Sequence, residues 1–149
     1  MKKLGQVYDF FIAGRTRNKE KILEICKIFD ELKISYYCFL KNEESHKEAG
    51  LDINENPEEL MRKFEGMNLD SVSVQTIFKH DIEAERNSKN LLLVLPAGKS
   101  AHIEAGIAYG MGKKCYALGE YEATDSLYLI FNEIFADETE LTNFLKNYK

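Results

Sequence analysis

Long apolar runs are absent from this 149-residue sequence, and none approaches the roughly 18 to 20 residues that a membrane-spanning helix needs. Positive charge is not in excess either. The 20 lysines and arginines are outnumbered by 25 aspartates and glutamates, which gives a net charge of −5. Nucleic acid binding calls for a basic surface that neutralises phosphates. We therefore expect neither a membrane nor a nucleic acid as a partner.

Cysteine and histidine are also scarce. The three cysteines, Cys26, Cys38 and Cys115, are far apart, odd in number and set in apolar runs. This pattern is typical of buried, reduced thiols and predicts a cytoplasmic protein. The three histidines have no paired ligand spacing, so the sequence predicts no metal site, and no other cofactor is expected.

Two nucleotide-binding motifs are missing. No Gly-Xaa-Gly-Xaa-Xaa-Gly follows the first apolar stretch, which argues against a dinucleotide fold of the Rossmann kind. The sequence PAGKS at 96–100 is similar to the end of a Walker loop. However, position 93, five residues before Gly98, is Leu where that motif needs a glycine. Nucleoside-triphosphate chemistry of that kind is not expected.

Apolar residues, 44% of the chain, fall into strands that alternate with helices. The N-terminal stretch is superficially like a signal peptide, but Asp9 interrupts its apolar part and no small-residue cleavage site follows, so we interpret it as the first strand. The predicted strands are 7–13, 34–40, 91–96 and 114–119, with 126–131 as either an edge strand or the start of a helix. Helices are predicted at 19–33, 71–88, 100–112 and 136–148, the last with Asp137 as its N-cap. A further helix is predicted after Pro57, within a polar excursion at about 42–70.

Strands that alternate with helices imply right-handed crossovers and a three-layer, doubly wound α/β fold with a mostly parallel sheet of about five strands. We expect a single domain over residues 1–149. Ligands of such sheets bind beyond the carboxyl ends of the strands, where the strand order reverses. Two loops are predicted at that edge: AGRTRN at 13–18 and PAGKS at 96–100.

An acid interrupts the apolar face of the helix predicted at 100–112. With Ser100 as N-cap, residues 101, 104, 107, 108 and 111 share one face, and all except Glu104 are apolar. An unpaired carboxylate on a face that packs against a sheet is costly, although a helix start favours an anion. We interpret Glu104 as an inward acid near the binding edge; a carboxylate that curls out to solvent is the alternative.

Asp81 shows the same pattern on the helix predicted at 71–88. It follows Ile77 by four residues and Phe78 by three, and so it faces the predicted inner stripe. A surface pair with His80 or Arg86 is the alternative. The predicted stripe consists of Val74, Ile77, Phe78 and Ile82.

Glycines and basic residues mark further candidate contacts. Gly106 and Gly110 predict a surface that a ligand or another backbone approaches closely, or else tight packing on the sheet. The segment 98–100 at a helix start can present amides to a phosphate or a sugar hydroxyl. In the first loop, Gly14 permits close approach and either Arg15 or Arg17 is suited to an anionic group, with solvated arginines as the alternative.

Together these segments resemble a known family. A strand ending in IAG, a helix containing HDIEAERNSKN and the run LLLVLPAGKSAHIEAGIAYGMGKK resemble the nucleoside 2-deoxyribosyltransferase family, including 2'-deoxynucleoside 5'-phosphate N-hydrolase-like proteins. The match is best over residues 74–114. The resemblance implies a flavodoxin-like fold, cleavage of the N-glycosidic bond of a nucleoside or nucleotide, and a homo-oligomer with sites near subunit contacts.

The resemblance also implies roles for single residues. Glu104 matches the nucleophile that attacks the anomeric carbon, and we expect backbone amides at the helix start to keep it ionised. Asp81 matches an acid at the sugar and base end of the site. The candidate substrate-binding residues are Ala13, Gly14, Arg15, Gly98, Lys99 and Ser100. Transferases of the family often carry a second acid where this chain has Gly98, so transfer to a base and transfer to water both remain open.

Two other functions fit the same pattern. A TIR-like NAD glycohydrolase also uses one glutamate at a ribosyl carbon. A non-catalytic nucleotide-sensing module would keep the pocket without turnover.

Overall fold

The computed structural model describes residues 7–122 and 125–148, which form one five-stranded sheet between two layers of helices. Residues 1–6 of the predicted N-terminal stretch lie outside the described residues. In chain order the elements are β1 (Tyr8–Ala13), α1 (Lys19–Glu31), β2 (Tyr36–Cys38), α2 (Glu43–Glu48), α3 (Pro57–Glu65), α4 (Val72–Arg86), β3 (Ser88–Val94), α5 (Lys99–Gly110), β4 (Lys114–Leu118), β5 (Phe131–Phe135) and α6 (Glu138–Lys146).

The strands are all parallel and lie in the order β2-β1-β3-β4-β5. The chain therefore moves outward from β1 to β2, returns to the other side of β1 for β3, and continues in that direction. The order reverses between β1 and β3, and a crevice opens at their carboxyl ends. The predicted three-layer, doubly wound α/β fold is confirmed.

The two faces of the sheet are covered by different kinds of side chain. Branched and aromatic residues of α1 and α6 bury one face, while α5 packs on the other mainly through alanines. Buried helix residues on the first face are Ile22, Ile25, Phe29, Leu141 and Leu145; on the second they are Ala84, Ala101, Ala105 and Ala108.

The three cysteines are buried free thiols, as the sequence predicted. None of the helices within the described ranges combines the length and the apolar character that crossing a bilayer needs.

The second strand and the polar excursion differ from their predictions. Only Tyr36–Cys38 forms a strand, because the chain turns immediately afterwards into a 3₁₀ helix and then into α2, where the Asn42 side chain accepts from the Ser45 amide. The excursion contains two helices rather than one. Pro57 occupies the first turn of α3, as predicted, and the Asn56 side chain caps it.

The predicted inner stripe of α4 is wrong at Phe78, which is 61% exposed. Its other members, Val74, Ile77 and Ile82, are half-buried, and the fully buried positions of α4 are Ala84 and Glu85. The N-terminal half of α4 lies against the excursion instead of the sheet, since Ile77 packs with the cluster of Leu51 and Leu60.

The starts of the third and the last strand also differ from their predictions. The helix α4 ends at Arg86 and β3 begins at Ser88, three residues before the predicted strand, because the backbone here already pairs with Tyr8 of β1. Residues 126–130 form a 3₁₀ helix, and the last strand is Phe131–Phe135. Its polar Asn132 and Glu133 are exposed at the sheet edge, so the segment lacks a strong apolar pattern. The final helix begins after Asp137, which caps it as predicted.

Candidate active site

A cavity of about 380 Å³ lies at the carboxyl ends of β1 and β3, where the strand order reverses. Its wall is formed by the loop after β1, by the start of α5 and by side chains of α3 and α4. The eight residues expected to be catalytic or substrate-binding all line it: Ala13, Gly14, Arg15, Asp81, Gly98, Lys99, Ser100 and Glu104.

The start of α5 differs from its prediction by two residues. Gly98, rather than Ser100, is the N-cap, and its carbonyl accepts from the His102 amide. The amides of Lys99, Ser100 and Ala101 consequently have no partner within the helix. These three residues line the cavity, so the positive end of the helix lies beside it. A Cβ atom added at Gly98 would meet no atom within 4 Å.

Glu104 lies at the border of the buried face of α5. That face consists of Ala101, Ala105 and Ala108, so it is rotated from the predicted one, and Met111 is 38% exposed. Glu104 lines the cavity instead of extending into bulk solvent.

The electrostatic surroundings of Glu104 favour its neutral form. Burial, followed by the nearby charges of Asp81 and Glu85, raises the pKa of Glu104 well above its ordinary value. None of the described residues donates a hydrogen bond to this carboxyl. The expectation that backbone amides keep Glu104 ionised is therefore wrong.

Asp81 is bound by a tyrosine. The Tyr37 hydroxyl donates to Asp81 Oδ1 at 3.0 Å, and Asn42 Nδ2 donates to the same hydroxyl at 2.9 Å. The suggested surface pair with His80 is not formed, since His80 lies 2.7 Å from Glu48. Burial raises the pKa of Asp81 to about 7, against the lowering effects of the Tyr37 hydrogen bond and the His80 charge.

The loop after β1 contributes two arginines with different surroundings. Arg17 pairs with Glu58 at 2.8 Å and with Glu65 at 3.5 Å, which connects the loop to α3. Arg15 is exposed and lines the cavity. The neighbouring Gly14 allows close packing, because a Cβ atom there would lie 2.5 Å from Ile22 Cδ1.

Several residues of the cavity were not found from the sequence. The apolar part of the wall includes Phe11, Phe39, Leu40, Met61, Phe64 and Ile77. The spacing of Met61 and Phe64, three residues apart on α3, is a local signal for a shared inner face. Tyr37 has no such signal, because 44 residues separate it from Asp81.

Gly106 and Gly110 do not mark a close contact within this chain. Both are exposed, and a Cβ atom added at either would meet no atom within 4 Å. Neither the predicted backbone approach nor tight packing on the sheet is present among the described residues.

A broader depression of about 610 Å³ lies along β2. Its acid, Asp30, already accepts from the Tyr36 hydroxyl at 3.0 Å and pairs with Lys41 at 3.5 Å. The cavity between β1 and β3 is the better candidate, because it contains two buried carboxyl groups beside a helix start.

A solved structure has the same architecture. It belongs to a 2-deoxyribosyltransferase of the psychrotolerant bacterium Bacillus psychrosaccharolyticus and is similar to this chain with a TM-score of 0.60, over 94% of this chain and 91% of that one. The present chain has the fold of a 2-deoxyribosyltransferase. The two sequences are 16% identical. No family model matches the sequence, and no curated protein matches it either.

The 2-deoxyribosyltransferase-like fold confirms the resemblance inferred from the sequence at the level of architecture. The bacterial enzyme has been characterised as a biocatalyst for the industrial synthesis of antiviral and antitumoral nucleosides.

Proposed function

We propose that this protein cleaves the N-glycosidic bond of a nucleoside or nucleotide, with Glu104 as the nucleophile, and transfers the sugar to a second base or to water. The observation that carries the proposal is that Glu104 and Asp81 line the same cavity, at the strand ends of a 2-deoxyribosyltransferase-like fold. Two carboxyl groups suit glycosyl transfer, because one attacks the anomeric carbon while the other handles the proton of the leaving group.

The first step forms a covalent glycosyl-enzyme. The Glu104 carboxylate attacks the anomeric carbon, the bond from that carbon to the base nitrogen breaks, and its electron pair leaves with the base. Asp81 supplies a proton to the departing base, a role for which its pKa of about 7 is suited. The attack needs the ionised form of Glu104, which becomes more populated as the pH rises, because burial and the charges of Asp81 and Glu85 raise its pKa.

The second step releases the sugar. A nitrogen of an incoming base, or a water molecule, attacks the anomeric carbon, and Glu104 departs as a carboxylate. Asp81 takes up the proton that the incoming base or water loses. Gly98 leaves room for either acceptor, since it carries no side chain at the cavity.

Two groups of side chains in the cavity wall differ in chemistry, which supports binding of a nucleoside-like molecule. Aromatic and aliphatic side chains, including Phe39, Met61 and Phe64, offer an apolar wall for a planar base. The amides at the start of α5, with Arg15 and Lys99, offer a site for a sugar hydroxyl or a 5'-phosphate.

The proposal is tested with a panel of nucleosides, deoxynucleotides and NAD, with the free base followed by chromatography. We expect base release by the wild type and a loss of at least about a hundredfold in Glu104→Gln. Glu83→Gln, on the exposed side of α4, serves as the control. Mass spectrometry after acid quenching should detect the glycosyl-enzyme in the wild type alone. Equal base release by Glu104→Gln and the wild type would exclude Glu104 as the nucleophile.

The same panel separates the two alternatives. A TIR-like NAD glycohydrolase releases nicotinamide from NAD and leaves deoxynucleosides intact. A nucleotide sensor raises its melting temperature with a ligand, releases no base, and binds equally well in Glu104→Gln.

We also infer that the chain assembles into a dimer or larger homo-oligomer. Phe78 of α4 and Ile103 and Tyr109 of α5 are more than half exposed, and an interface would remove these apolar side chains from water. Sedimentation equilibrium at micromolar concentration measures the mass, with Ile103→Lys as the variant expected to weaken assembly. A wild-type monomer would contradict the inference.

A further inference from the structure

A third acid lies beside the two carboxyl groups of the site. Glu85 follows Asp81 by one turn of α4, so both side chains lie on the same side of the helix. Glu85 is only 1% exposed and does not line the cavity. Unlike Glu104 and Asp81, it is therefore closed off from any substrate.

The Glu85 carboxyl lacks the partners that a buried charge needs. Its Oε2 atom is buried and accepts a hydrogen bond from none of the described residues. The nearby cation is Lys113, but its Nζ donates to the carbonyl oxygens of Arg86 at 3.0 Å and Ser88 at 2.5 Å. Burial and the charge of Asp81 raise the pKa of Glu85 to about 8, and Lys113 opposes this only in part.

Glu85 is coupled electrostatically to titratable groups on α4, on α5 and at the start of β4. Asp81 lies on its own helix, Glu104 on α5, Cys115 on β4 and Lys113 on the turn before β4. The negative charges of Asp81 and Glu85 both disfavour ionisation of Glu104. No group of three or more described acidic, histidine or cysteine side chains is arranged to hold a metal ion. Burial raises the pKa of all three carboxyl groups, so protonation limits the negative charge of this row.

We propose that Glu85 is a positioning residue that controls the charge of Glu104 by holding or releasing its own proton, without contacting the substrate. The importance of this for catalysis rests on the proposed function, whereas the proton coupling does not. While Glu85 is neutral, Glu104 ionises with one negative neighbour fewer. Once Glu85 is charged, ionised Glu104 is disfavoured, since three buried carboxylates repel one another.

The coupling is measured by nuclear magnetic resonance on protein labelled with ¹³C at the glutamate side-chain carboxyl carbons. Glu85→Gln keeps the shape of a protonated glutamate but cannot ionise, and Glu104→Gln does the same for the nucleophile. We expect the Glu104 midpoint to fall by about one pH unit in Glu85→Gln, because a negative neighbour is lost. Glu83→Gln, on the exposed side of the same helix, should leave the midpoint unchanged.

Reciprocity supplies a second measurement if Glu85→Gln does not fold. Coupled equilibria affect each other equally, so Glu104→Gln must lower the Glu85 midpoint by the same amount. The proposal is wrong if either midpoint stays constant when the other acid is replaced by glutamine.

A pH profile of base release connects the coupling to catalysis. The rate falls on the acid side as Glu104 becomes protonated, so a lower Glu104 pKa moves this limb of the kcat/KM profile to lower pH in Glu85→Gln. A purely structural role would reduce activity without moving the limb. If no nucleoside is cleaved at all, the proposed function fails while the titration still decides the coupling.

Discussion

The Tyr37 hydroxyl donates a hydrogen bond to Asp81 Oδ1 over 3.0 Å, which joins strand β2 to helix α4 inside the candidate site. Asn42 Nδ2 donates to the same hydroxyl oxygen, so the hydroxyl proton of Tyr37 remains available for the carboxyl group. This bond opposes the effect of burial and lowers the pKa of Asp81.

Tyr37→Phe should therefore raise the pKa of Asp81 above about 7. The substitution removes a donor to a buried acid, and we expect a loss of roughly 1–3 kcal/mol in the free energy of unfolding. Titration of ¹³C-labelled aspartate carboxyls measures the first effect and urea unfolding the second. In the control Tyr36→Phe, the lost partner is the exposed Asp30, and the Asp81 midpoint should not change. A lower Asp81 midpoint in Tyr37→Phe would contradict this account.

The pH dependence of stability follows from the buried acids. Asp81 and Glu85 have folded-state pKa values of about 7 and about 8, raised from 3.8 and 4.5, so the folded protein holds these protons more tightly than the unfolded chain. Their contribution to stability is complete below the unfolded pKa values and is lost as the pH rises through the folded ones. Where an acid is protonated in the folded state but not in the unfolded chain, each unit of rising pH lowers the free energy of unfolding by about 1.4 kcal/mol.

Urea unfolding between pH 6.5 and 8.5 measures this loss. Burial lowers the pKa of His46 from 6.5, so near pH 6.5 the unfolded chain binds more of this proton than the folded protein does, and His46 opposes the fall at the acid end of the range in both proteins. The free energy of unfolding should fall with rising pH in the wild type and fall less in Glu85→Gln. Equal slopes for the two proteins would show that Glu85 does not retain a proton on folding.

Gly14→Ala should destabilise the protein by about 1–3 kcal/mol, because the new Cβ atom would lie 2.5 Å from Ile22 Cδ1 and 3.1 Å from Cγ1. Combining it with Ile22→Val removes the Cδ1 atom, so the double variant should be more stable than the sum of the single effects predicts. Urea unfolding of all three variants measures this. Gly98→Ala is the matched control and should change stability by less than about 0.5 kcal/mol, since its Cβ atom meets nothing within 4 Å. If the effects of the two single substitutions on stability were strictly additive, the close contact between position 14 and Ile22 would be contradicted.

Gly98→Asp introduces an acid at the position where transferases of the resembled family often carry one. Gly98 has a φ of −90°, which any residue can adopt, and there is space around it. We expect the ratio of base transfer to hydrolysis to rise several-fold, measured by chromatography with one nucleoside donor and adenine as acceptor. Gly98→Asn controls for size without charge. An unchanged ratio in Gly98→Asp would show that an acid at position 98 does not influence whether a base or water accepts the sugar.

Local patterns were sufficient to predict the fold class. The apolar runs of β1, β3 and β4 and the spacing of Ile22, Ile25 and Phe29 on α1 reflect burial of a strand or of one helix face, which the chain displays within a few residues. The position of the cavity follows from the same information, because parallel strands that alternate with helices bring their carboxyl ends, and the loops after them, to one edge.

Features that depend on distant neighbours could not be predicted in this way. Phe78 was misplaced in the stripe of α4 because the first half of this helix packs on the excursion rather than on the sheet. The position of the last strand was left open at 126–131, and β5 lies at 131–135, where its polar residues face solvent at an edge. Tyr37 reaches Asp81 only because β2 lies beside β1, next to α4.

The charge states of the acids also depend on residues that are distant in sequence. Composition and spacing place Asp81, Glu85 and Glu104 in their helices, but a pKa depends on which surfaces exclude water from a carboxyl and which charges lie nearby. Those surfaces come from α4, α5 and β4 together. Periodicity along the chain thus determined the strands, the helices and the edge where the site lies. Packing between elements far apart in sequence decided which acids lost their water and which polar group reached them.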